Sequence, residues 1–500
     1  MGAVVNGERR IVILVRAEIP SRLREVFIPN NLLVLAESIS LAGYEPVIID
    51  MRVQDYKECL KSVDLRKILC AGISTLTGAQ IQYGISFAAY LKSMRPEIPI
   101  VWGGPHPSLR PEETLAHPFC DYVVRGEGEV TLPELLGKIV DADTVEGIAG
   151  ITYRRGDGEI TSAPDREWVN LDRAGTLPYD LLDLTKYETG TTFTYHTSRG
   201  CPHRCGFCIN HTFHHSKFRA QCAEHVVDNI EYIVNRFNPD ALHLTDDNFF
   251  VNKKRVKDIC EGILRRGIKI KWVTACRFDY FSHFDEEFLN LLKTSGCSQL
   301  GYGAESGSIR VLEYIEKGIT PKDVLSSVKK ARRVGLKLSP ISFMYGFPGE
   351  TREDLFASLD LIDRIREEGK ENTVVNGMFL LTPYPGTPIA DELSSRGYKF
   401  PTRLEDWSTY LMSSGHEKVN WLPPNYLRKA TIASDIIRFR YFIDIHAERK
   451  LKSRLLKTAY RIFVLPFLLS EKIRWKRRLF AFAPEWRFWA HVRTKFLKVT

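Results

Sequence analysis

The sequence has no uncharged apolar stretch approaching 18 residues, so nothing in it reads as a transmembrane span. The opening MGAVVNGERR reaches its first charges before any apolar run, which gives no sign of a secretory signal. Ten cysteines scattered through 500 residues are too sparse for the disulfide framework of a secreted domain. Low-complexity tracts and solenoid-type repeats are also missing. What remains is a chain with 44% hydrophobic and 26% charged residues, which is globular and long enough for two or three domains. A cytoplasmic location is expected.

Positive charge is scarce except at one end. Residues 449–500 hold 15 Lys+Arg against 2 Asp+Glu, a local +13, so a total of +9 leaves −4 on the rest of the chain. Three of the ten cysteines also fall together, at Cys201, Cys205 and Cys208. The other seven are spread out, and Cys59, Cys70 and Cys120 do not occupy convincing positions for a second cluster.

Residues 10–140 alternate apolar β-branched runs with helical patterns, a rhythm that predicts a doubly wound parallel sheet covered on both faces. Ligands of such sheets sit beyond the C-terminal strand ends. Those ends carry Ser74-Thr75, Gly103-Gly104-Pro105-His106 and Arg125-Gly126-Glu127-Gly128-Glu129. A hairpin turning at Asp157-Gly158 is expected within 146–192, followed by a linker. From 193 to 400 six longer βα units, with strands at 193–198, 241–245, 271–276, 299–305, 338–346 and 374–381, predict a partial (β/α)6 barrel whose site lies at its C-terminal strand ends. The domain plan is therefore 1–145, 146–192, 193–400 and a helical, basic-aromatic region over 401–500.

The first barrel strand leads into Ser198-Arg199-Gly200-Cys201-Pro202-His203-Arg204-Cys205-Gly206-Phe207-Cys208. A CxxxCxxC loop can wrap three thiolates around one inorganic cluster and leave a fourth iron open to substrate. A zinc knuckle completed by His203, His211, His214 or His215 is the alternative. The segment resembles the cluster loop of the radical S-adenosylmethionine (radical SAM) superfamily. The likeness continues through Thr245-Asp246-Asp247-Asn248-Phe249, Arg277, Gly303-Ala304-Glu305-Ser306-Gly307, Gly346-Phe347-Pro348-Gly349-Glu350-Thr351 and Pro383-Tyr384-Pro385-Gly386-Thr387-Pro388. The N-terminal region is similar to the cobalamin-binding domain attached to many such enzymes, through Pro29-Asn30, Gly72-Ile73-Ser74-Thr75, Gly103-Gly104-Pro105-His106 and Arg125 to Glu129.

The resemblance implies a [4Fe-4S] cluster on Cys201, Cys205 and Cys208, with SAM near Phe207, Asp246, Asp247, Arg277, Glu305, Ser306, Gly346 and Pro348. It further implies cobalamin near Ser74, Thr75, Gly103, Gly104, His106, Arg125, Gly126 and Glu127. The Asp-x-His-x-x-Gly motif that supplies a cobalt-ligating histidine elsewhere is absent after the first strand, so His106 is read as a pocket-lining or loop residue and not as a cobalt ligand. The implied chemistry is reductive cleavage of SAM to a 5′-deoxyadenosyl radical, driven by an external one-electron reductant, then modification of an unactivated carbon. C-methylation is the leading outcome, ring formation or another oxidative change the rival, and a non-catalytic iron–sulfur or zinc protein the reading from a different class.

The tail interleaves ten aromatics with its basic residues over 449–500. That composition suits a helix on an anionic membrane surface, with aromatics inserted. A cap packed on the barrel is the plainer reading. No RNA-binding module is recognised, and nucleic acid is not an expected partner. A membrane-facing tail favours a lipid-like, isoprenoid or tetrapyrrole substrate.

Overall fold

A computed structural model describes residues 4–5, 8–18, 26–173, 175–187, 192–410, 419–442, 454–480 and 483–486. The first sheet contains β1 (Ile11–Arg16), β2 (Glu45–Asp50), β3 (Ile68–Ser74), β4 (Ile100–Gly103), β5 (Tyr122–Val124), β6 (Ile151–Arg154) and β7 (Ile160–Ser162). Their order is β2-β1-β3-β4-β5-β6-β7. The first five run parallel and the last two antiparallel. Strand order reverses between β1 and β3, which places the ligand crevice of a doubly wound sheet there.

The run IVILV in β1 is buried on both faces because helices cover both. Val12 and Leu14 pack with Leu33 of α1 (Asn30–Leu41) and Leu135 of α3 (Gly128–Asp141). Ile13 and Val15 point the other way, toward Ile81, Phe87 and Leu91 of α2 (Ala79–Met94). The hairpin forms where Asp157-Gly158 predicts it, but it pairs with β5 and extends the first sheet instead of forming a separate linker element.

The second sheet holds β8 (Thr192–Tyr195), β9 (Ala241–Leu244), β10 (Lys271–Ala275), β11 (Cys297–Glu305), β12 (Lys337–Tyr345) and β13 (Thr373–Leu380), all parallel and in chain order. This is the expected six-unit partial barrel. Its helices start on local signals. Thr320 and Thr351 each form a reciprocal capping box, with Asp323 and Asp354, at the starts of Pro321–Val334 and of α4 (Arg352–Gly369).

The C-terminal region closes the open side of the barrel. The helix α5 (Pro424–Phe442) covers edge strand β13, with Ser434 Oγ donating to Met378 O at 2.6 Å. Trp407 is fully buried against the first unit, and its indole donates to Glu113 at 2.7 Å. Tyr410 donates to Pro383 O at 2.9 Å, so the segment 404–410 clasps both units.

In α6 (Arg454–Arg477) and the residues after it, the described aromatics among those expected to enter lipid are instead packed in protein. Trp475, Phe480 and Trp486 are buried, and the Trp475 indole donates to Asp363 on α4 at 2.5 Å. Arg478 bridges Asp360 and Asp363. The tail aromatics Phe482, Phe488, Trp489 and Phe496 lie outside the described residues. Among the described residues no helix is long and apolar enough to cross a membrane. Trp475→Ala is expected to lower the unfolding free energy by about 3 kcal/mol. Denaturant titration reads this directly, and an unchanged midpoint would mean the tail is not part of the folded core.

Candidate active site

The C-terminal ends of the two sheets share one cavity of about 450 Å³. The first unit lines it with Ser74, Gly103, Gly104, Gly126 and Glu127, as the strand-end pattern predicts. The barrel lines it with Tyr195, His196, Arg199, Asn210, His214 and Asp247. Gly104 sits at φ 91°, and a Cβ there would lie 2.9 Å from Thr75 O, so only glycine fits this part of the wall.

Three residues expected at this wall are elsewhere. His106 is fully buried under Trp407, with ring centroids 5.4 Å apart, and its Nδ1 meets Thr77 Oγ1 at 3.0 Å. Burial, aided by the charge of Arg110, pushes its pKa down to about 3 and keeps it neutral. Arg125 turns to Ala163 O and Asp165, tying the segment after β7 to the sheet. Thr75 is buried and lines an adjoining cavity of about 310 Å³. In each case the motif marked the right loop, but the side chains of His106 and Arg125 are recruited by residues later in the chain.

The two halves of the cavity are fastened by charge. Glu127 accepts from Arg199 Nη1 at 2.9 Å and from Arg219 at 2.6 and 3.1 Å, while Arg199 also reaches Glu129 at 2.6 Å. Arg199 and Arg219 lie on the two-stranded ribbon pairing Ser198–Arg199 with Arg219–Ala220. Burial opposes the Glu127 charge, but the two guanidinium groups outweigh it and hold its pKa below the ordinary carboxylate value.

Immediately after Arg199 the cysteine loop begins. Gly200 is at φ 81°, and its N–H donates to Asp247 Oδ2 at 2.8 Å. The Asp246 carboxylate is spent on the same loop, accepting from Thr197 N at 2.6 Å, Thr197 Oγ1 at 2.5 Å and Ser198 Oγ at 2.7 Å. Asp246 therefore holds the loop, whereas Asp247 faces the cavity and also takes Asn210 Nδ2 at 2.8 Å. Asn248, buried beside them, donates to Cys201 Sγ at 3.4 Å. Arg277 places Nη1 3.7 Å from Cys205 Sγ, and its remaining donors go to Asp279 and Lys317 O. Among the described residues no three His, Cys, Asp or Glu converge on a single-ion site.

Glu305 ends β11 at φ 58° and pairs with the buried Lys317 at 2.7 Å, whose Nζ lies 5.9 Å from the Phe207 ring centroid. Phe207 in turn meets Phe347 edge-on at 6.1 Å. Ser306 does not join them; it is fully buried and bonds Ser308 N at 3.1 Å and Ser358 Oγ at 3.2 Å, organising the next helix start. Gly346 and Phe347 give their N–H groups to Glu350, at 2.6 and 3.1 Å, which shapes the loop around the buried Pro348. Burial pushes the Glu350 carboxyl up to about 7 despite those two donors. Lys317, Asn248, His196 and Arg219 were not singled out from sequence. Asn248 stood within a quoted motif, but the lysine and Arg219 carry no local signal, since only the fold brings them to the site.

Glu127→Ala would leave the partly buried Arg219 without a carboxylate and Arg199 with Glu129 alone, and is expected to destabilise the protein by about 3 kcal/mol. Because the folded carboxyl titrates below its unfolded value of 4.5, the stabilisation is full above that pH and is lost only as pH falls below it. Denaturation of wild type and variant between pH 3 and 8 checks both statements; equal stabilities at pH 7 would contradict them.

The Radical SAM superfamily pattern matches residues 195–362, and the B12 binding domain pattern matches 21–136. An uncharacterized methyltransferase of Pyrococcus horikoshii is 30% identical over 83% of this chain and 82% of its own length. The hopanoid C-3 methylase of Methylococcus capsulatus is 25% identical over 75% and 73%. An anaerobic magnesium-protoporphyrin IX monomethyl ester cyclase of Synechocystis sp. is 28% identical over 46% of each chain. The structure of the radical SAM methyltransferase TsrM from Kitasatospora setae, with cobalamin and a [4Fe-4S] cluster bound, superposes with a TM-score of 0.66 over 77% of this chain and 78% of that one, at 23% identity, which shows a shared fold. With both patterns in order along one chain, and two sheets whose strand ends share one cavity beside the cysteine loop, the protein is a radical SAM enzyme that carries an N-terminal B12-binding domain.

Proposed function

We propose that this enzyme methylates an unactivated carbon of a small hydrophobic molecule held between its two sheets. The observation that carries the reading is the cavity whose walls come from the B12-type strand ends on one side and, on the other, from Ser198, Arg199, Ile209 and Asn210, the residues that flank the cysteine loop. The residues fit the implied groups. Three thiols share one loop without forming a single-ion site, and Gly104 leaves room where a side chain would fill the cradle. Cys201, Cys205 and Cys208 would hold the [4Fe-4S] cluster, while Ser74, Gly103, Gly104, Gly126 and Glu127 would border cobalamin. Together with SAM, these groups supply one-electron and methyl-transfer chemistry that no side chain can perform.

The chain's own residues hold geometry and exclude water. Asp246 and Asp247 fix the cysteine loop through five hydrogen bonds, counting the Gly200 and Asn210 donors. Arg277 and Asn248 offer N–H groups to thiolate sulfur, a charge-assisted contact in the case of Arg277. The Glu305–Lys317 pair beside Phe207 offers one charge of each sign to the amino-acid end of SAM, and Phe347 with Gly346 and Pro348 offers an apolar wall to its base. The electron comes from an external reductant. Apolar lining by Leu171, Leu177, Ile209 and Phe213 supports a lipid-like, isoprenoid or tetrapyrrole substrate. So does the hopanoid methylase among the relatives.

The test supplies methyl-labelled SAM and reductant to the reconstituted enzyme with candidate lipids and tetrapyrroles. Labelled product is expected, with Ala at any of the three cysteines abolishing turnover. Product without label would replace methylation by ring formation or another oxidative change.

A peripheral site of action is supported by the outer face of α6. Leu465, Leu469 and Ile473 recur every fourth residue and are about half exposed, with Lys472, Lys476 and Arg477 beside them. Such a stripe suits the plane of an anionic bilayer. Replacing all three apolar residues by Glu is expected to abolish sedimentation with phosphatidylglycerol vesicles without changing the melting temperature. Unchanged or absent wild-type sedimentation would remove the membrane from the picture.

A further inference from the structure

Asn30 opens α1 directly after Pro29, at the crevice where strand order reverses. Its side chain is only 4% exposed, and neither Oδ1 nor Nδ2 has a partner. Among the described residues it is the one side-chain amide with both polar atoms buried and unmatched. It does not serve the helix start, because the cap position is Pro29 and no side-chain cap bond forms there. Its neighbours explain nothing either, because Asn31 Nδ2 donates to Ser74 Oγ at 3.2 Å and those two groups serve each other.

Asn30 lines both the larger cavity and the adjoining one, so its unmatched amide stands in the wall between two spaces that a ligand can enter. In the smaller cavity the guanidinium of Arg16 is paired with Glu18 at 3.3 Å and no carboxylate lines the wall, and in the larger one Glu127, Glu129 and Asp247 are taken up by Arg199, Arg219, Gly200 and Asn210. The site therefore calls for a neutral group with an acceptor and a donor side by side. A primary amide has that pattern, a carboxylate has acceptors alone, and a hydroxyl places both functions on one atom.

We propose that Asn30 reads one propionamide on the rim of cobalamin through an amide–amide pair of hydrogen bonds. The inference rests on cobalamin occupying the larger cavity. The propionamides project from the ring face that carries the nucleotide loop. The deep end of the cavity, walled by Leu14, Gly72, Val101 and Leu132 of the first unit, suits that loop. Asn30 belongs to the same unit and so meets the same face. The residue is kept polar for the ligand: it weakens the unliganded fold and repays that on binding.

Binding is measured with hydroxocobalamin and with its three monocarboxylate isomers, each having one propionamide hydrolysed, by absorbance after equilibrium dialysis at pH 7.5. One isomer is expected to bind wild type roughly tenfold more weakly than hydroxocobalamin, the loss of one good hydrogen-bonded pair. Asn30→Leu should bind hydroxocobalamin roughly tenfold more weakly, and no longer distinguish that isomer. The same substitution should raise the melting temperature of the unliganded protein, because it removes an unmatched buried amide. A structural asparagine would give the opposite sign. Wild type binding all four corrinoids equally, or a preference that survives Asn30→Leu, would overturn the inference, and so would a less stable or unfolded variant. Wild type binding no corrinoid at all would instead overturn the cofactor assignment beneath it.

Discussion

Everything about this site depends on the charge cluster that joins Glu127 and Glu129 of the first unit to Arg199 and Arg219 of the barrel. Arg199 is two residues before Cys201, and Glu127 follows the end of β5. The cluster therefore fixes the distance between the B12-type strand ends and the cysteine loop. Ion pairs taken out of water gain little net stability, since desolvation offsets most of the Coulomb attraction. What they give is register, because a shifted pairing would leave charges buried and unmatched. Val169 N–H also binds Glu127, and Trp168 stacks under Arg219 at 4.7 Å, so the segment joining the two sheets is pinned at the same point.

A second clasp works on the far side of the molecule. Trp407 and Tyr410 bind Glu113 and Pro383, one in each unit, and α5 covers the last barrel strand. With the charge cluster at one side of the cavity and the aromatic clasp at the other, the two sheets are held with their strand ends apposed. This arrangement gives the cavity its walls before any ligand enters.

Most of the architecture could be read from sequence because it follows from periodicity and from local chemistry. Five of the six barrel strands formed within two residues of the expected ends and the first stops at Tyr195, three residues short, since apolar β-branched runs between amphipathic helices permit little else. The cysteine loop and the glycines at 103, 104 and 126 were equally legible, because spacing and backbone geometry are local properties. Long-range choices were not. His106 and Arg125 stand in the expected loops but are claimed by Trp407, far along the chain, and by Asp165, in the segment after β7. Asp246 and Asp247 look alike in sequence, yet one is saturated by Thr197 and Ser198 and the other faces the cavity. Lys317 and Arg219 had no motif to announce them. The tail's composition allowed a membrane or a packed role, and the indoles of Trp475 and Trp486 took the packed one while leaving a leucine–isoleucine stripe outside.

The most direct test of the charge cluster as the device that sets the spacing of the two cofactors is magnetic. In reconstituted protein reduced to cob(II)alamin and [4Fe-4S]⁺, the two paramagnets should show a dipolar coupling by pulsed electron paramagnetic resonance. Wild type is expected to give one narrow distance. Replacing Glu127 and Glu129 together by Gln should broaden or abolish that distance while both cofactors remain bound. An unchanged narrow distance in the double variant would show that the spacing is set elsewhere and contradict the role assigned to these four side chains.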